Sequence, residues 1–367
     1  MLDKNRYDRQ IKLRGFGIEA QQKLLSAHVL VIGAGGLGCP ALQYLAASGV
    51  GTIGIADDDK VSLSNLQRQV LYTAEDIGKL KTKVACKRLS LMNPDISINI
   101  ISEKITTKNA VAIISDYDLI LDCSDNFPTR YLIDDACRIL KKTLIFGAIY
   151  QYEGQVAVFN IPDKEGTTTS YRNLFPEPPR PDEVSDCNEA GVLGVLPGII
   201  GTWQATEALK IITGLGHTLA NKLMTIDLLD NQTAIYDIPA DLQHPNLPLT
   251  IEDFELMNYE EHCGIGRTVN TISSSEFSEL AKAPDTMIID VRNLDELPKI
   301  DLPYLAIPLS ELNGNFSKIQ HKNIIVICQS GKRSEIGAKL LQENLGSEYT
   351  ISSLEGGINQ LKKSENE

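Results

Sequence analysis

The stretch HVLVIGAGGLGCP, residues 28–40, decides the fold of the N-terminal part of the chain. Its apolar run predicts a buried strand over residues 29–32, and glycines at 33, 35 and 38 follow in the spacing G-x-G-x-x-G. Pro40 suits the first turn of a helix, because its missing N–H would be unpaired there anyway. A second strand, GTIGIAD, ends at Asp57, about where a dinucleotide-binding fold places a ribose-binding acid. The pattern predicts a doubly wound, Rossmann-like α/β domain with a mostly parallel sheet.

The residues after Asp57 favour ATP over NAD as the nucleotide. The segment VSLSNLQRQ, residues 61–69, contains Arg68. Three lysines follow at the start of the next helix: Lys79, Lys81 and Lys83. A triphosphate carries roughly four negative charges, and arginine and lysine at a helix N-terminus suit it better than they suit the two bridging phosphates of NAD. A solvated basic helix is the alternative interpretation.

A third segment places acidic side chains at the same edge of the sheet. DYDLILDCSDN, residues 116–126, ends a buried strand with Asp122, Asp125 and Asn126. Open α/β sheets bind ligands at the carboxyl ends of their strands. Carboxylates there suit Mg²⁺ bound to phosphates, so ATP and Mg²⁺ are the expected cofactors, with Asp125 as the candidate metal ligand. Loop-capping acids are the alternative.

Composition excludes several classes of protein. The chain has 367 residues, 43% of them hydrophobic, and a net charge of −13, which argues against a nucleic-acid surface. No apolar run reaches the length of a membrane span, and the N-terminus does not resemble a signal peptide. Seven cysteines, an odd number, indicate reduced thiols and a cytoplasmic location. No two of them have the C-x₂₋₄-C separation of a structural zinc site, so zinc is not expected.

The chain divides by composition into two domains. PADLQHPNLPL, residues 239–249, is proline-rich and without periodicity, and a new alternation of strands and helices begins near Val269. We therefore expect a nucleotide-binding domain at 1–245, a linker at 246–267 and a second, smaller α/β domain at 268–367.

The second domain contains a candidate reactive cysteine. CQSGKRS, residues 328–334, follows the apolar run that ends in Cys328. A thiol in a loop whose backbone N–H groups point inward, at a helix N-terminus, has its anion stabilised and can equally hold a persulfide. The cradle would consist of Gln329, Ser330, Gly331, Lys332 and Arg333. A buried structural cysteine is one alternative. A phosphatase loop is another, but it places five residues between cysteine and arginine, and here there are four.

The N-terminal part of the chain contains five motifs in a recognisable order: RYDRQIKLRGFG (6–17), GAGGLG (33–38), DDDKVSLSNLQRQ (57–69), GKLK (78–81) and DCSDN (122–126). Together they resemble the ubiquitin-activating-type adenylyltransferases of the MoeB and ThiF branch, over roughly residues 1–265. In the second domain IIDVRN (288–293), CQSGKRS and LEGGI (354–358) resemble a rhodanese domain.

The first resemblance implies a role for each motif residue. Gly36 and Asp57 hold the adenosine end of ATP. Asp125 positions Mg²⁺, and Asn126 helps to order the site. The phosphates are contacted by Lys81 and by a run of five residues, Ser64, Asn65, Leu66, Gln67 and Arg68. Arg9 reaches into the nucleotide site of the partner subunit, which implies a homodimer.

The two resemblances together imply one reaction sequence. The first domain adenylates the C-terminal glycine of a ubiquitin-like sulfur carrier that ends in Gly-Gly. A persulfide on Cys328, loaded by a donor such as a cysteine desulfurase, then supplies sulfur and gives the carrier thiocarboxylate. A rhodanese-like domain that only docks a sulfur donor is an open alternative, and so is a different acyl substrate. The pathway also stays open among molybdopterin, thiamine, cysteine and tRNA thiolation.

Two departures from the family pattern matter. Where many relatives have Cys-Tyr-Arg-Cys, residues 170–173 read Ser-Tyr-Arg-Asn, and only Cys263 lies near the matching second pair. Zinc is therefore doubtful on this ground too, and packing alone is expected to hold the C-terminal part of the domain. Cys187, in PPRPDEVSDCNEAGVLG (178–194), stands where some relatives link covalently to the carrier. A small apolar anchor of the loop is the alternative.

Overall fold

The computed structural model describes residues 5–162, 166–178, 191–240, 247–263, 269–345 and 348–364. The chain forms two compact units, and the first extends to Cys263.

An eight-stranded sheet forms the centre of the first unit. Its strands are β1 (His28–Ile32), β2 (Thr52–Ala56), β3 (Ser97–Ile101), β4 (Leu119–Asp122), β5 (Thr143–Tyr150), β6 (Glu153–Phe159), β7 (Lys222–Asp227) and β8 (Gln232–Asp237). They lie in the order β3-β2-β1-β4-β5-β6-β7-β8. The first five are parallel and the last three join antiparallel, which confirms the doubly wound, mostly parallel sheet.

Helices cover both faces of this sheet. They are α1 (Asp8–Ile11), α2 (Gly17–Ser26), α3 (Gly38–Ser48), α4 (Lys81–Met92), α5 (Ala110–Ser115), α6 (Phe127–Ile139), α7 (Tyr171–Leu174), α8 (Val195–Thr213), α9 (Ile251–Leu256) and α10 (Tyr259–His262), with 3₁₀ turns at Leu63–Asn65 and Ala74–Asp76. Strand β1 shows why two layers form. Val29 and Val31 pack into the core under α3 and α8, whereas Leu30 and Ile32 pack into the core under α5 and α6. A strand buried on both faces reads as a continuous apolar run, as it does here.

The turn from β1 to α3 depends on two glycines. Gly33 has a φ of +96°, and a Cβ there would lie 2.5 Å from the carbonyl oxygen of Cys123 at the end of β4. A Cβ on Gly38 would lie 1.9 Å from the carbonyl oxygen of Gly33. Side chains at these positions would push the helix away from the strand end, so the glycines bring the first turn of α3 close to the carboxyl edge of the sheet.

The expected linker at 246–267 is wrong for its described residues, 247–263. Helices α9 and α10 pack against α6, and Phe254 and Tyr259 are buried in the core of the first unit. This segment therefore belongs to the first unit.

The second unit is a smaller α/β domain. Its strands are β9 (Asn270–Ile272), β10 (Thr286–Asp290), β11 (Leu305–Ala306), β12 (Asn323–Ile327) and β13 (Thr350–Leu354), and its helices are α11 (Ser274–Leu280), α12 (Lys332–Asn344) and α13 (Gly357–Ser364), with 3₁₀ turns at Leu309–Gly314 and Phe316–Lys318. The sheet is parallel throughout, in the order β11-β10-β12-β13-β9. Cys328 follows directly on the central strand β12, at the carboxyl edge.

Within the described ranges, no helix combines the length and the apolar character needed to cross a membrane.

Candidate functional site

A cavity of about 330 Å³ lies at the carboxyl ends of β1, β2 and β4. Six of the residues expected to bind nucleotide line it: Gly36, Asp57, Arg68, Lys81, Asp125 and Asn126. The glycine turn, the loop after β2 and the start of α6 thus meet at one place, although they are separated by up to about ninety residues of sequence. This is the edge at which open α/β sheets bind their ligands.

Asp57 ties the glycine turn to the loop after β2. Its carboxylate accepts hydrogen bonds from the backbone N–H of Ala34 at 2.7 Å and of Asp59 at 2.8 Å. Burial raises the pKa of the Asp57 carboxyl above its ordinary value, and nearby Lys81 opposes that shift. In this structure Asp57 therefore fixes the shape of the turn and lines the cavity at the same time.

Lys81 supplies a buried positive charge at the N-terminus of α4. Its side chain is 6% exposed, and its Nζ lies 2.7 Å from Asp59 Oδ2 and 4.0 Å from Asp57 Oδ2. Asp59, in contrast, is largely exposed. The sequence identified Lys81 but gave no role to Asp59, because an acidic run after a strand is commonly just solvated.

Arg68 reaches the cavity from the turn that follows the 3₁₀ helix at Leu63–Asn65. The Arg68 guanidinium donates to the carbonyl oxygen of Ser64 at 3.1 Å, and Asn65 Oδ1 accepts from the Ser62 N–H at 3.1 Å. Neither Ser64 nor Asn65 lines the cavity that the described residues outline, and the same holds for Leu66 and Gln67. The segment therefore positions Arg68. Arg9, on α1, is exposed and also lies outside this lining.

Asn126 and Asp125 occupy the rim of the cavity where α6 begins. Asn126 caps the helix, because its Oδ1 accepts from the backbone N–H of Thr129 at 3.0 Å. Both side chains are exposed, so Asp125 presents its carboxylate to whatever fills the cavity.

Arg130 is a site residue that the sequence analysis missed. It lines the cavity, is 9% exposed, and donates from Nη2 to the carbonyl oxygen of Ser124 at 3.3 Å. Its guanidinium carbon lies 5.4 Å from the ring centroid of Phe146. The spacing from Asn126 to Arg130 is one helical turn, which could have placed this cation beside the cap.

The lining of the cavity is close to electrically balanced. Four cations line it, Arg68, Lys81, Lys104 and Arg130, together with five carboxylates, Asp57, Asp58, Asp59, Glu103 and Asp125. Such a lining can hold phosphate groups through the cations and offers oxygen ligands to a hard divalent cation.

A buried polar cluster is centred on Arg172, within the Ser-Tyr-Arg-Asn segment at residues 170–173. Arg172 is 2% exposed and makes a bidentate ion pair with Asp135 of α6, at 2.9 Å to Oδ1 and 2.7 Å to Oδ2. Tyr259 of α10 donates from its hydroxyl to Asp135 Oδ2 at 2.8 Å. Ser170 and Asn173, the first and last residues of that segment, form the capping box of α7.

The same cluster extends to the end of the unit. Arg172 Nη1 lies 3.1 Å from His262 Nε2, and because arginine can only donate, the imidazole accepts. The Arg172 guanidinium also lies 4.8 Å from the ring centroid of Tyr131. The expectation that packing alone holds this part of the fold is therefore wrong: α6, α7 and α10 are joined by a buried ion pair and its hydrogen bonds. Cys263 is buried beside them, and burial raises the pKa of its thiol to about 12.

Asp134 is a second buried carboxyl on α6. It accepts a hydrogen bond from the backbone N–H of Tyr171 at 2.9 Å, and its Oδ2 has no hydrogen-bond partner among the residues that the structure describes. Burial first, and then the neighbouring Asp135, raise the pKa of Asp134 to about 7.

In the second unit, Cys328 is fully buried at the mouth of its loop. The backbone N–H of Gly331 points at Cys328 Sγ from 3.2 Å, and Ser334 Oγ lies 3.5 Å from the same sulfur. Ser334 in turn donates to the Gly331 carbonyl at 2.8 Å and accepts from Ser353 at 2.9 Å. One backbone N–H and one hydroxyl thus approach the sulfur.

The cations of this loop are arranged differently from the expected cradle. Arg333 makes a bidentate ion pair with Glu296, at 2.6 and 2.7 Å, and Lys332 is exposed. Gln329 accepts from Arg292 at 3.0 Å. Glu296 had no role in the sequence analysis, because the pair spans 37 residues and no local pattern announces it. Cys187 lies outside the described residues.

Comparisons with known proteins agree with this arrangement. The model of the ThiF family matches residues 7–249, and that of the rhodanese-like domain matches residues 273–364. A "Sulfur carrier protein adenylyltransferase" of Thermus thermophilus is 48% identical, over 71% of this chain and 97% of its own length. An "Adenylyltransferase and sulfurtransferase MOCS3" of Drosophila sechellia is 36% identical, over 96% of this chain and 82% of its own length.

Among solved structures, Escherichia coli MccB with ATP matches with a TM-score of 0.55 and 22% identity, over 67% of this chain and 74% of that chain. At this identity the likeness shows the fold alone.

Proposed function

This chain belongs to the ThiF family and carries a rhodanese-like domain, and from that premise we propose that it makes a carrier-protein thiocarboxylate. The first unit adenylates the C-terminal glycine of a ubiquitin-like sulfur carrier at the expense of ATP. The second unit supplies the sulfur from Cys328. One observation carries the first half of the proposal: Arg68, Lys81 and Asp125 converge on a single cavity.

Adenylation asks for positioning and charge stabilisation. The glycine carboxylate attacks the α-phosphorus of ATP, an O–P bond forms, and pyrophosphate leaves. Arg68 and Lys81 would hold the phosphates and stabilise the charge that develops on them. Arg130, buried at the start of α6, adds a third cation at the same edge. Asp57 would keep the glycine turn in the shape that accepts the nucleotide, through its bonds to the loop backbone.

Magnesium is part of the proposal, and the residues present fit it. The carboxylate oxygens of Asp57, Asp58 and Asp59 lie within 4.8 Å of one another, and Asp125 adds a carboxylate at the rim. Hard oxygen ligands of this kind are those that Mg²⁺ prefers. When bound, the ion would neutralise phosphate charge that the nearly balanced lining leaves uncompensated.

The sulfur-transfer half rests on the loop at Cys328. A thiolate or persulfide there would be stabilised by the Gly331 N–H and by the N-terminus of α12. A cysteine-desulfurase-type protein is the proposed donor. The alternative is a domain that only docks the donor. It predicts that a Cys328→Ala variant still forms the thiocarboxylate.

Further parts of the proposal concern assembly and surroundings. Arg9 lies exposed on α1, which supports a homodimer in which it would reach the nucleotide site of the partner subunit. The odd number of cysteines supports the cytoplasm as the location.

The decisive experiment is ATP–pyrophosphate exchange against a panel of purified carriers that end in Gly-Gly. We expect exchange that depends on Mg²⁺ and on one carrier, and none when the terminal glycine of that carrier is removed. Exchange driven equally well by the truncated carrier would refute the assignment of the acyl substrate. Tight binding of NAD with none of Mg-ATP, measured by calorimetry, would refute the nucleotide assignment.

A further inference from the structure

Two arginines in or beside the rhodanese-like loop form ion pairs with carboxylates. Arg333 binds Glu296 through two hydrogen bonds of 2.6 and 2.7 Å. Arg292, the other guanidinium beside the loop, binds Asp290 through Nε and Nη2 at 3.0 and 2.8 Å. Both arginines are thus committed to fixed partners within the second unit.

Glu296 is itself held in place for this contact. Its Oε1 accepts from the backbone N–H of Asn293 at 3.0 Å, and the N–H of Glu296 donates to the Asn293 carbonyl at 3.1 Å. The turn after β10 therefore holds the Glu296 carboxylate in position through backbone contacts that do not involve Arg333. The bidentate contact lowers the pKa of Glu296 to about 2, so the pair stays charged over the whole working range of pH.

Within the described residues, Cys328 Sγ makes its hydrogen-bond contacts with two neutral groups, the Gly331 N–H and the Ser334 hydroxyl, and Ser334 is bonded in turn to Ser353. The charge of Arg333 reaches the sulfur, but its guanidinium directs its hydrogen bonds to Glu296. A loop of this kind stabilises one negative charge through its backbone. A second charge on the donor would need a free guanidinium, which is the group best suited to bind an oxyanion through two hydrogen bonds.

We propose that Glu296 is a specificity-determining residue that sets the sulfur donor of this domain. By holding Arg333, it makes the loop accept sulfur from a persulfide, which brings one charge at its sulfur, and disfavour thiosulfate, which brings two. This inference rests on the proposed sulfur transfer. Glu296 acts through Arg333 and is therefore a positioning residue.

Both donors pass their outer sulfur to Cys328 by the same kind of nucleophilic displacement. From a persulfide, the Cys328 thiolate attacks the outer sulfur, a new S–S bond forms, the donor S–S bond breaks, and the donor leaves as a thiolate. From thiosulfate, the thiolate attacks the outer sulfur and sulfite leaves with the bonding electron pair. Neither transfer needs an outside oxidant or reductant, so the donors differ in charge and shape at the loop.

The test compares the two donors on the full-length protein. Glutathione persulfide and thiosulfate are each titrated, and the sulfur atom added to Cys328 is followed by mass spectrometry, together with sulfite release in the second case. Glu296→Gln should lower the KM for thiosulfate about tenfold, the effect of one freed charge contact, with a smaller change in kcat. Loading from glutathione persulfide should stay within about twofold of wild type.

Four variants serve as controls. Glu296→Asp keeps the charge and should behave as wild type. Glu279→Gln removes one exposed carboxylate from the same unit and should change nothing. Adding Arg333→Gln to Glu296→Gln should return the KM for thiosulfate to its wild-type value. Arg333→Gln alone should leave both donors within about threefold, because Glu296 holds the guanidinium in the wild-type protein, and a larger loss would overturn the inference even if Glu296→Gln does not fold.

The outcomes separate cleanly. An unchanged KM for thiosulfate in Glu296→Gln, or an equal fall in Glu279→Gln, overturns the inference. So does a parallel change with both donors and a lower melting temperature, which would make Glu296 merely structural. If Arg333→Gln alone raises the KM for both donors tenfold or more, the arginine binds donors directly and the inference fails. If neither donor loads Cys328 in wild type, it is the proposed sulfur transfer that fails, and the inference falls with it.

Discussion

Replacing Arg172 by methionine should severely destabilise the first unit. Methionine matches much of the length of arginine, but it leaves the fully buried carboxylate of Asp135 with the Tyr259 hydroxyl as its one remaining side-chain partner among the described residues. Breaking a buried ion pair from one side costs roughly 3–5 kcal/mol, because a charge is left in a medium that solvates it poorly. With a urea slope of about 3 kcal/mol per molar, the midpoint should fall by about 1 to 1.7 M.

The assay can be confined to the unit in question. Trp203, the single tryptophan of the chain, lies on α8 in the first unit, so its fluorescence reports that unit alone. Asp237→Asn is the matched control, since it removes one partner of the exposed Lys222–Asp237 ion pair and should cost at most about 1 kcal/mol. Replacing both Arg172 and Asp135 by apolar residues should recover much of the loss.

Two results would refute the reasoning. A decrease of less than about 1 kcal/mol in the free energy of unfolding of Arg172→Met would show that the buried ion pair does not hold α6, α7 and α10 together. A midpoint of the wild-type protein that falls on treatment with a zinc chelator would show that a metal holds this region after all. We expect no effect of the chelator.

Three more predictions concern the two sites and a buried carboxyl. Arg68→Ala or Lys81→Ala should slow ATP–pyrophosphate exchange by about 30- to 1000-fold, because each loses roughly 2–4 kcal/mol of charge stabilisation. Lys81 is buried, so a melting curve of each variant is the control for folding, and exchange rates within threefold of wild type would exclude the phosphate role. Cys328→Ala should leave exchange unchanged and abolish thiocarboxylate formation, whereas full product would make the second unit a docking module. Asp134 has its pKa raised from 3.8 to about 7, so the folded chain keeps a proton that the unfolded chain has released, and stability falls as pH rises from about 4 to 7. Asp134→Asn should remove that slope, about 1 kcal/mol per pH unit, and denaturation curves of equal pH dependence in both proteins would contradict the assignment.

The parts of the structure that follow local rules could be predicted from the sequence. The glycine turn at Gly33, the helix starting near Lys81 and the loop at Cys328 each depend on a pattern of a few neighbouring residues. Helix α9 also had a local signal, because Thr250 and Asp253 form a capping box that the proline-rich surroundings concealed.

The contacts that were missed join distant parts of the chain. The Arg172–Asp135 and Arg333–Glu296 pairs each span 37 residues, and each depends on how two elements meet in space. An arginine in a sequence is typically a solvated surface residue, so only packing shows that these two are held. Arg130 was missed although it has a local signal. It lies one helical turn after Asn126, the N-cap of α6, and this spacing could have placed it near the site.

The packing of α9 and α10 has a consequence for how the two activities can be separated onto different polypeptides. A first half that stopped at residue 245 would lose Phe254 and Tyr259, exposing core surface worth roughly 2–3 kcal/mol for each aromatic ring. It would also take the Tyr259 hydroxyl from Asp135, and so weaken the buried ion pair from its far side. The natural point of division is therefore after Cys263, the last residue of the first unit, because that boundary keeps Tyr259 and His262 together with Arg172 and Asp135.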